Sequence, residues 1–390
     1  MQAFAFAIQL LSSTITPPKS NSMKNVLIAL LFLVQTISAQ ELALVKKGSA
    51  FGYITRTGEF AIAPKYTKAK SFSEGFAGVY EGGKWGFINA KGELVIKAMY
   101  DDVKEFNSGI CVVSEAKEWH YIDTKGARVN MPASDKPYDF ENGFAFIKNG
   151  DAVGVINAKG ETVIAAKYQS IKRFVNGFAR AKQNDKWGII DTKGKVIVEL
   201  VYDDIGDYYK TTVWAKRGEE FGLVTAGKFT ALAGVDKIWD FSEDLAYARK
   251  DKKIGFINTT GKWVVEPKYD KARAFVKGLA PIAIGELWGY INTTGAVIVE
   301  PRYKDAEIFS VDGLAPVKET NWGFINTKGQ LTIPAEYDIS AGLGFLSGKE
   351  EKGFINGLAR VKRDKKWAFI DTKGNALGNQ WFDNAEIFSK

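Results

Sequence analysis

From Leu42 to Phe388 short apolar runs alternate with clusters of Gly, Asn, Asp and Lys. No stretch of about 11 residues or more repeats its apolar positions at the helical period, and the runs are β-branched and aromatic. The pattern predicts short strands joined by tight turns and an all-β fold. Four kinds of segment follow one another. The first is apolar-Ala-x-apolar, as in Leu42-Ala43-Leu44-Val45, Phe76-Ala77-Gly78-Val79 and Leu358-Ala359-Arg360-Val361. A turn such as Gly82-Gly83 or Asn184-Asp185 follows, built from residues that accept positive φ at low cost. The second strand holds the step Trp85-Gly86, Trp187-Gly188, Trp288-Gly289 or Trp322-Gly323. Next comes Asn or Asp, two linking residues and Gly, as in Asn89 to Gly92 and Asp371 to Gly374. There an Asn or Asp oxygen can accept bonds from the backbone ahead, and Gly can close the turn left-handed. The third segment is apolar (Leu94-Val95-Ile96), and the fourth opens with Tyr and closes with Phe, as in Tyr100 to Phe106. Pro64, Pro267, Pro301 and Pro334 precede this Tyr and predict a strand end, since proline donates no ladder hydrogen bond.

Aligned on the second residue of the Trp-Gly step, the copies fall at Gly52, Gly86, His120, Gly154, Gly188, Gly222, Gly255, Gly289, Gly323 and Ala368. The period is 34 residues, except 33 before Gly255 and 45 before Ala368. Ten copies at one period predict a single repeat array over residues 40–390. Neighbouring apolar residues such as Phe87-Ile88 face opposite sides of a strand, so each small sheet must be covered on both faces by the next. Trp offers area to bury, and the following Gly lets a neighbouring chain approach closely. Phe51, Val153, Phe221 and Ile254 keep the bulk without the indole, which points to packing. Copies three and six are the poorest, with Ser134 and Asp236 where Tyr is expected. The extra residues before copy ten, near Leu343 to Phe354, end in an echo of the step, Gly353-Phe354-Ile355-Asn356. It reads as the remnant of a partial duplication in preference to a protruding loop.

On these steps the chain resembles the WG-repeat family of bacterial proteins over roughly residues 41–390. The resemblance implies an often exported, β-rich repeat protein and carries no catalytic residues. His120 and Ala368, in place of Gly, depart from its pattern. Two architectures fit: an open twisted array, which the sequence favours, and a propeller-like toroid. The unit is short beside the ~40–45 residues of a WD-type blade, and ten blades make a wide ring. The mature array opens with a first segment and closes with a fourth, so it begins and ends in phase.

Composition changes this picture little. A net charge of +8 is spread through every copy without a block of like charges, so no nucleic-acid partner is expected. One cysteine, Cys111, and one histidine, His120, preclude an intrachain disulfide and Cys/His zinc sites. Met23-Lys24-Asn25, the apolar run Val26 to Val34 and the small residue Ala39 form a secretory signal. Residues 23–39 are therefore expected to be removed by cleavage near Ala39. Residues 1–22 are read as an overextension upstream of a true start at Met23. The product is expected in the periplasm or outside the cell, with no membrane span.

Asp101-Asp102 and Asp203-Asp204 are paired carboxylates at one repeat position, read as solvated strand-end acids and not as an acid–base pair or a calcium site. His120 reads as a tolerated substitution. Trp214, Trp239, Trp263 and Trp381 lie off the step; burial is expected, and exposed together they would stack on sugars. No catalytic, cofactor or metal residue is expected. The functional expectation is a non-enzymatic binding or scaffold module for a protein or cell-envelope component. The alternative is a carbohydrate-binding module resting on Trp263 or Trp381.

Overall fold

The computed structural model describes residues 40–338 and 353–390. The expected leader, residues 1–22 and 23–39, and most of the insertion near Leu343 to Phe354 lie outside the described residues. Among them are ten small antiparallel sheets and no α-helix.

Each sheet draws on two copies. Blade two contains Ala69–Ser73, Phe76–Glu81, Lys84–Ile88 and Leu94–Tyr100, in that order across the sheet. The chain then reverses at Asp101, and Asp102–Val103 begins blade three by pairing with Ile110–Glu115. The fourth segment of one copy is thus the first strand of the next sheet. That offset decides the architecture. The fourth segment of copy ten, Asn384–Ala385, has no eleventh copy to join, and it pairs with Ala43–Lys47 of blade one. Leu42 and Ser389 exchange backbone hydrogen bonds beside it, at 2.9 and 3.1 Å.

The ten sheets therefore form a closed ring, a ten-bladed propeller, and not the open array that the sequence favoured. An open array would leave two unpaired sheet edges, which closure removes. The short unit is no obstacle, because the strand that begins most blades is only two residues long, as in Asp102–Val103 and Asp204–Ile205.

The core confirms the closure. Every buried apolar cluster joins two successive blades. One unites Tyr53, Ile62 and Tyr66 with Phe72, Ala77 and Ile88. Another unites Ala43, Val45 and Ile54 of blade one with Trp367, Phe369 and Phe382 of blade ten. No sheet buries its faces alone, as the alternation of apolar neighbours predicts.

The Trp-Gly step sits where the third strand bulges. Trp85 pairs with Tyr100 and Phe87 with Ile96, so four residues oppose two. A Cβ on Gly86 would lie 2.7 Å from both the Ile96 carbonyl and the Ala98 nitrogen. Pro64, Pro267 and Pro301 lie within this bulge on the edge strand, one or two residues inside the expected strand end. The two copies without Gly lack the ordinary bulge. Beside His120 the third strand is only Arg128–Val129, and its pairing ends at Tyr121. Beside Ala368 the bulge widens into the turn Leu377–Asn379, between the bridges Ile370–Ala376 and Trp367–Phe382. The two departures are thus accounted for by backbone geometry.

Copy six differs for a related reason. Its second turn is one residue shorter, with Ala226 and Gly227 both at positive φ (48° and 75°). The third strand, Lys228–Ala231, then pairs without a bulge as far as Gly222. Val235, and not Asp236, consequently takes the Tyr position, and Asp236 moves to the position of Asp101.

Candidate interaction surface

The repeat's polar residues mostly hold blades together. Asp101 bridges two of them: its Oδ1 lies 2.5 Å from Lys84 Nζ in blade two, and its Oδ2 accepts the Lys117 N–H of blade three. Asp203 joins Lys186 to the Gly218 N–H, Asp270 joins Lys253 to the Gly285 N–H, and Asp383 joins Lys366 to the Gly48 N–H. In each case the lysine hydrogen bond, then the backbone N–H, holds the carboxyl below its ordinary pKa. These acids are inter-blade staples, a correction to their reading as merely solvated. A sequence signal was available: in each of these copies Lys stands 17 residues before the Asp. Asp102 and Asp204 accept the next backbone N–H, from Val103 and Ile205, and Asp102 also meets Lys70 of blade two at 3.8 Å.

A second set links the turns between the first and second strands of successive blades. Glu74 accepts the N–H groups of Ser108 and Gly109, both at 2.7 Å, and Glu243 those of Lys277 and Gly278, both at 2.8 Å. A third set lies midway along the second strands. Arg180 reaches Asp207 of the next blade at 3.2 Å, and Trp214 Nε1 donates to Asp240 at 2.7 Å. Arg360 donates to the Ala385 carbonyl at 2.6 Å and meets Glu386 at 3.2 Å. The Arg360 side chain is 1% exposed and that of Glu386 32%, so a buried guanidinium meets a partly exposed carboxylate at the junction that closes the ring.

The other singled-out residues are scattered. Cys111 is buried, and burial pushes its thiol up to about 12. His120 is buried with Nδ1 unpartnered. Among the described residues no group of three or more His, Cys, Asp and Glu is placed to hold a metal ion. The tryptophans of the step are mostly half-buried or buried, several under a cation, with Arg273 4.7 Å over Trp288 and Lys70 5.4 Å over Trp85. Trp119 is the open one, at 40%. Off the step, Trp214 and Trp263 belong to one cluster between blades six and seven, Trp239 stacks on Tyr247 at 4.5 Å, and Trp381 lies under Arg363.

The echo before copy ten ends the fourth segment of copy nine. Phe354–Ile355 is the first strand of blade ten. Phe354 packs edge-on against Phe324 at 5.0 Å, as Phe106 does against Phe87 at 4.9 Å.

Blade six carries an open cleft of about 420 Å³. The blade's bulge-free third strand and the bend at Leu232 to Gly234 leave this space. Phe221 forms its apolar wall, with Lys216 5.7 Å over the ring. Glu219, Glu220 and Asp236 stand around it.

Ten small sheets, eight of four strands and two of three, closed through the chain's own ends define a β-propeller built from a short repeat. The family model described as WG containing repeat matches residues 51–85, 85–119, 154–187, 187–210, 254–288, 288–321 and 322–339. The chain belongs to that family. The unmatched gaps fall on copies three and six and on copy ten, the blades whose third strands depart from the common bulge. Comparison by sequence with proteins of curated function finds no match. Among solved structures, one described as the eukaryotic initiation factor is similar, at TM-score 0.49 and 10% identity, over 90% of this chain and 98% of that one. The extracellular domain of a putative hybrid two-component system from B. thetaiotaomicron aligns at TM-score 0.30 and 11% identity, over 88% of this chain and 59% of that one.

Proposed function

We propose that this propeller is an exported, non-enzymatic scaffold that captures a protein partner, with the blade-six cleft as the contact. The observation that carries this reading is the cleft itself. Elsewhere the repeat's aspartates are drawn into staples between blades, as at Asp101 and Asp270. At blade six, Glu219 and Glu220 stand exposed beside an aromatic wall. Such a surface suits a partner that inserts a Lys or Arg, which gains both the carboxylates and the ring face. A sugar platform would need flat rings open to solvent, whereas Trp263 packs into an inter-blade cluster and Trp381 is covered by Arg363.

Two measurements test this. The mature chain, immobilised, is expected to retain a specific envelope protein, and Glu219→Lys/Glu220→Lys to retain at least about tenfold less. No retained protein, or equal retention by the variant, refutes the proposal. Export predicts that the native protein begins at Gln40; native protein that keeps its leader refutes it.

A further inference from the structure

A belt of turns runs around one rim of the ring. In most copies the turn closing the Trp-Gly strand seats on the third strand of the preceding blade: a Cβ on Gly92 would lie 3.3 Å from Ile62, on Gly126 3.0 Å from Ile96, and on Gly374 3.2 Å from Ile333. The row closes at Gly58, whose carbonyl accepts from Gln380 at 2.7 Å. Each turn is held rigid from within, as Asn89 Oδ1 accepts the N–H of both Lys91 and Glu93.

Two kinds of exposed residue recur along this belt. Lys91, Lys125, Lys159, Lys193 and Lys328 occupy the same turn position, all exposed, and none makes an ion pair or covers an aromatic ring. Many other lysines are engaged, such as Lys84 and Lys253 on the staples and Lys70 and Lys172 over tryptophans. Directly after the turns, at the open edge of the sheets, stand Leu94 (45% exposed), Val297 (44%) and Leu331 (43%), with Val196 in the same row.

The same turns also carry Glu93, Asp123, Glu161 and Asp191, but these accept from amides of the turn, and none forms an ion pair with these lysines. Ammonium groups without a direct ion pair, next to exposed aliphatic side chains and repeated around one rim, are complementary to a surface that is anionic and apolar just beneath. We propose that this rim docks on an anionic lipid bilayer, the lysines meeting headgroup phosphates and the aliphatic residues entering the interfacial layer. The lysines supply long-range attraction that salt screens, and the aliphatic residues a contribution that salt does not. No helix of the described residues is long and apolar enough to cross a membrane, so the attachment is peripheral. The belt and the blade-six cleft are separate surfaces, so either reading can fail alone.

The test is co-sedimentation of the mature protein with vesicles of phosphatidylcholine alone or with about one-third phosphatidylglycerol. Binding to the anionic vesicles only is expected. Lys125→Gln/Lys159→Gln/Lys193→Gln should lower the partition coefficient at least about tenfold at low salt. Lys117→Gln/Lys252→Gln/Lys365→Gln removes equal charge from the hairpins at the opposite ends of the strands and should change it less than about twofold. Leu94→Ser/Leu331→Ser should weaken binding at low and high salt alike. Equal binding to both vesicles, or equal losses in the two lysine variants, overturns the proposal. Binding of soluble dextran sulfate without vesicle binding overturns it too, by assigning the belt to a soluble polyanion.

Discussion

The junction between blades two and three and the one between blades ten and one are built alike. In the first, Asp101 and Lys104 donate their N–H groups to Ser114 and Val112 at 2.7 and 2.8 Å. In the second, Asp383 and Glu386 donate theirs to Lys46 and Leu44 at 2.9 and 2.8 Å. The staple recurs, with Lys84–Asp101 at one junction and Lys366–Asp383 at the other. The difference is covalent. At the inner junction the chain itself carries the strand across. At the seam the contacts join residues 335 apart in sequence, as between Gly48 and Asp383. One recognition pattern therefore serves as a continuing link within the chain and as a lock at the seam. The lock exists only because copies and sheets are offset by one strand.

Removing the lock should have the largest effect. Deleting residues 381–390 removes Phe382 and Ala385, unpairs Ala43–Lys47 and opens the apolar layer of Val45, Ile54, Trp367 and Phe369 between blades ten and one. Loss of that burial and of the seam hydrogen bonds is expected to cost on the order of 5–10 kcal/mol. Urea unfolding should shift strongly, and scattering should show a larger particle. A circular permutant offers the converse. Joining Lys390 to Glu41 through a short Gly linker and opening the chain between Asn184 and Asp185 makes the seam covalent and frees a hairpin tip, so stability should be kept. A truncated ring as stable as the intact one would refute the seam as a lock.

The Trp-Gly step sharpens the comparison between regular and departing blades. Gly86→Ala forces a Cβ against the backbone at 2.7 Å, and overpacking of this kind is expected to cost about 2–3 kcal/mol in urea unfolding. The reverse change in blade ten, Ala368→Gly, removes a methyl group from a bulge that has room for it. It should cost only about 0.5–1 kcal/mol in backbone entropy. Equal costs would show that the enlarged bulge at Leu377–Asn379 is not what admits Ala368.

Much of the fold was legible because it is written ten times. The period, the four segments, the turn glycines and the two-sided burial all follow from local pattern, and Gly92 and Gly126 do take the expected positive φ, 80° and 79°. What was hidden is the sharing of segments between copies. Taking each copy as its own sheet concealed that Tyr100 and Asp102, two residues apart, belong to different blades. That offset is what lets Asn384–Ala385 of copy ten serve as the missing strand of blade one. The shift at copy six was hidden because a one-residue deletion in a turn leaves Asp236 and Val235 equally close to the Tyr position. The blade-six cleft is a consequence of that same deletion, and composition carries no trace of it.

The staples give the smallest effect and the one whose sign can be derived. Asp101, Asp203, Asp270 and Asp383 are held below the ordinary carboxylate value of 3.8 by the lysine bond and the backbone N–H. A carboxyl depressed in the folded state favours folding above its unfolded value, and that contribution is lost as the pH falls through the folded one. The four staples should therefore act fully at neutral pH and fade only below about pH 4. All four are at the surface, so each effect is small and screened by salt. Asp383→Asn should lower the melting temperature more than Asp101→Asn, because at the seam no covalent link substitutes for the staple. The gap between the two variants should shrink as pH falls from 6 toward 2, where wild type and variants both lack the charge. A gap that stayed constant across that range would mean that the Gly48 and Lys117 N–H bonds, and not the ion pairs, tie the blades together at this position.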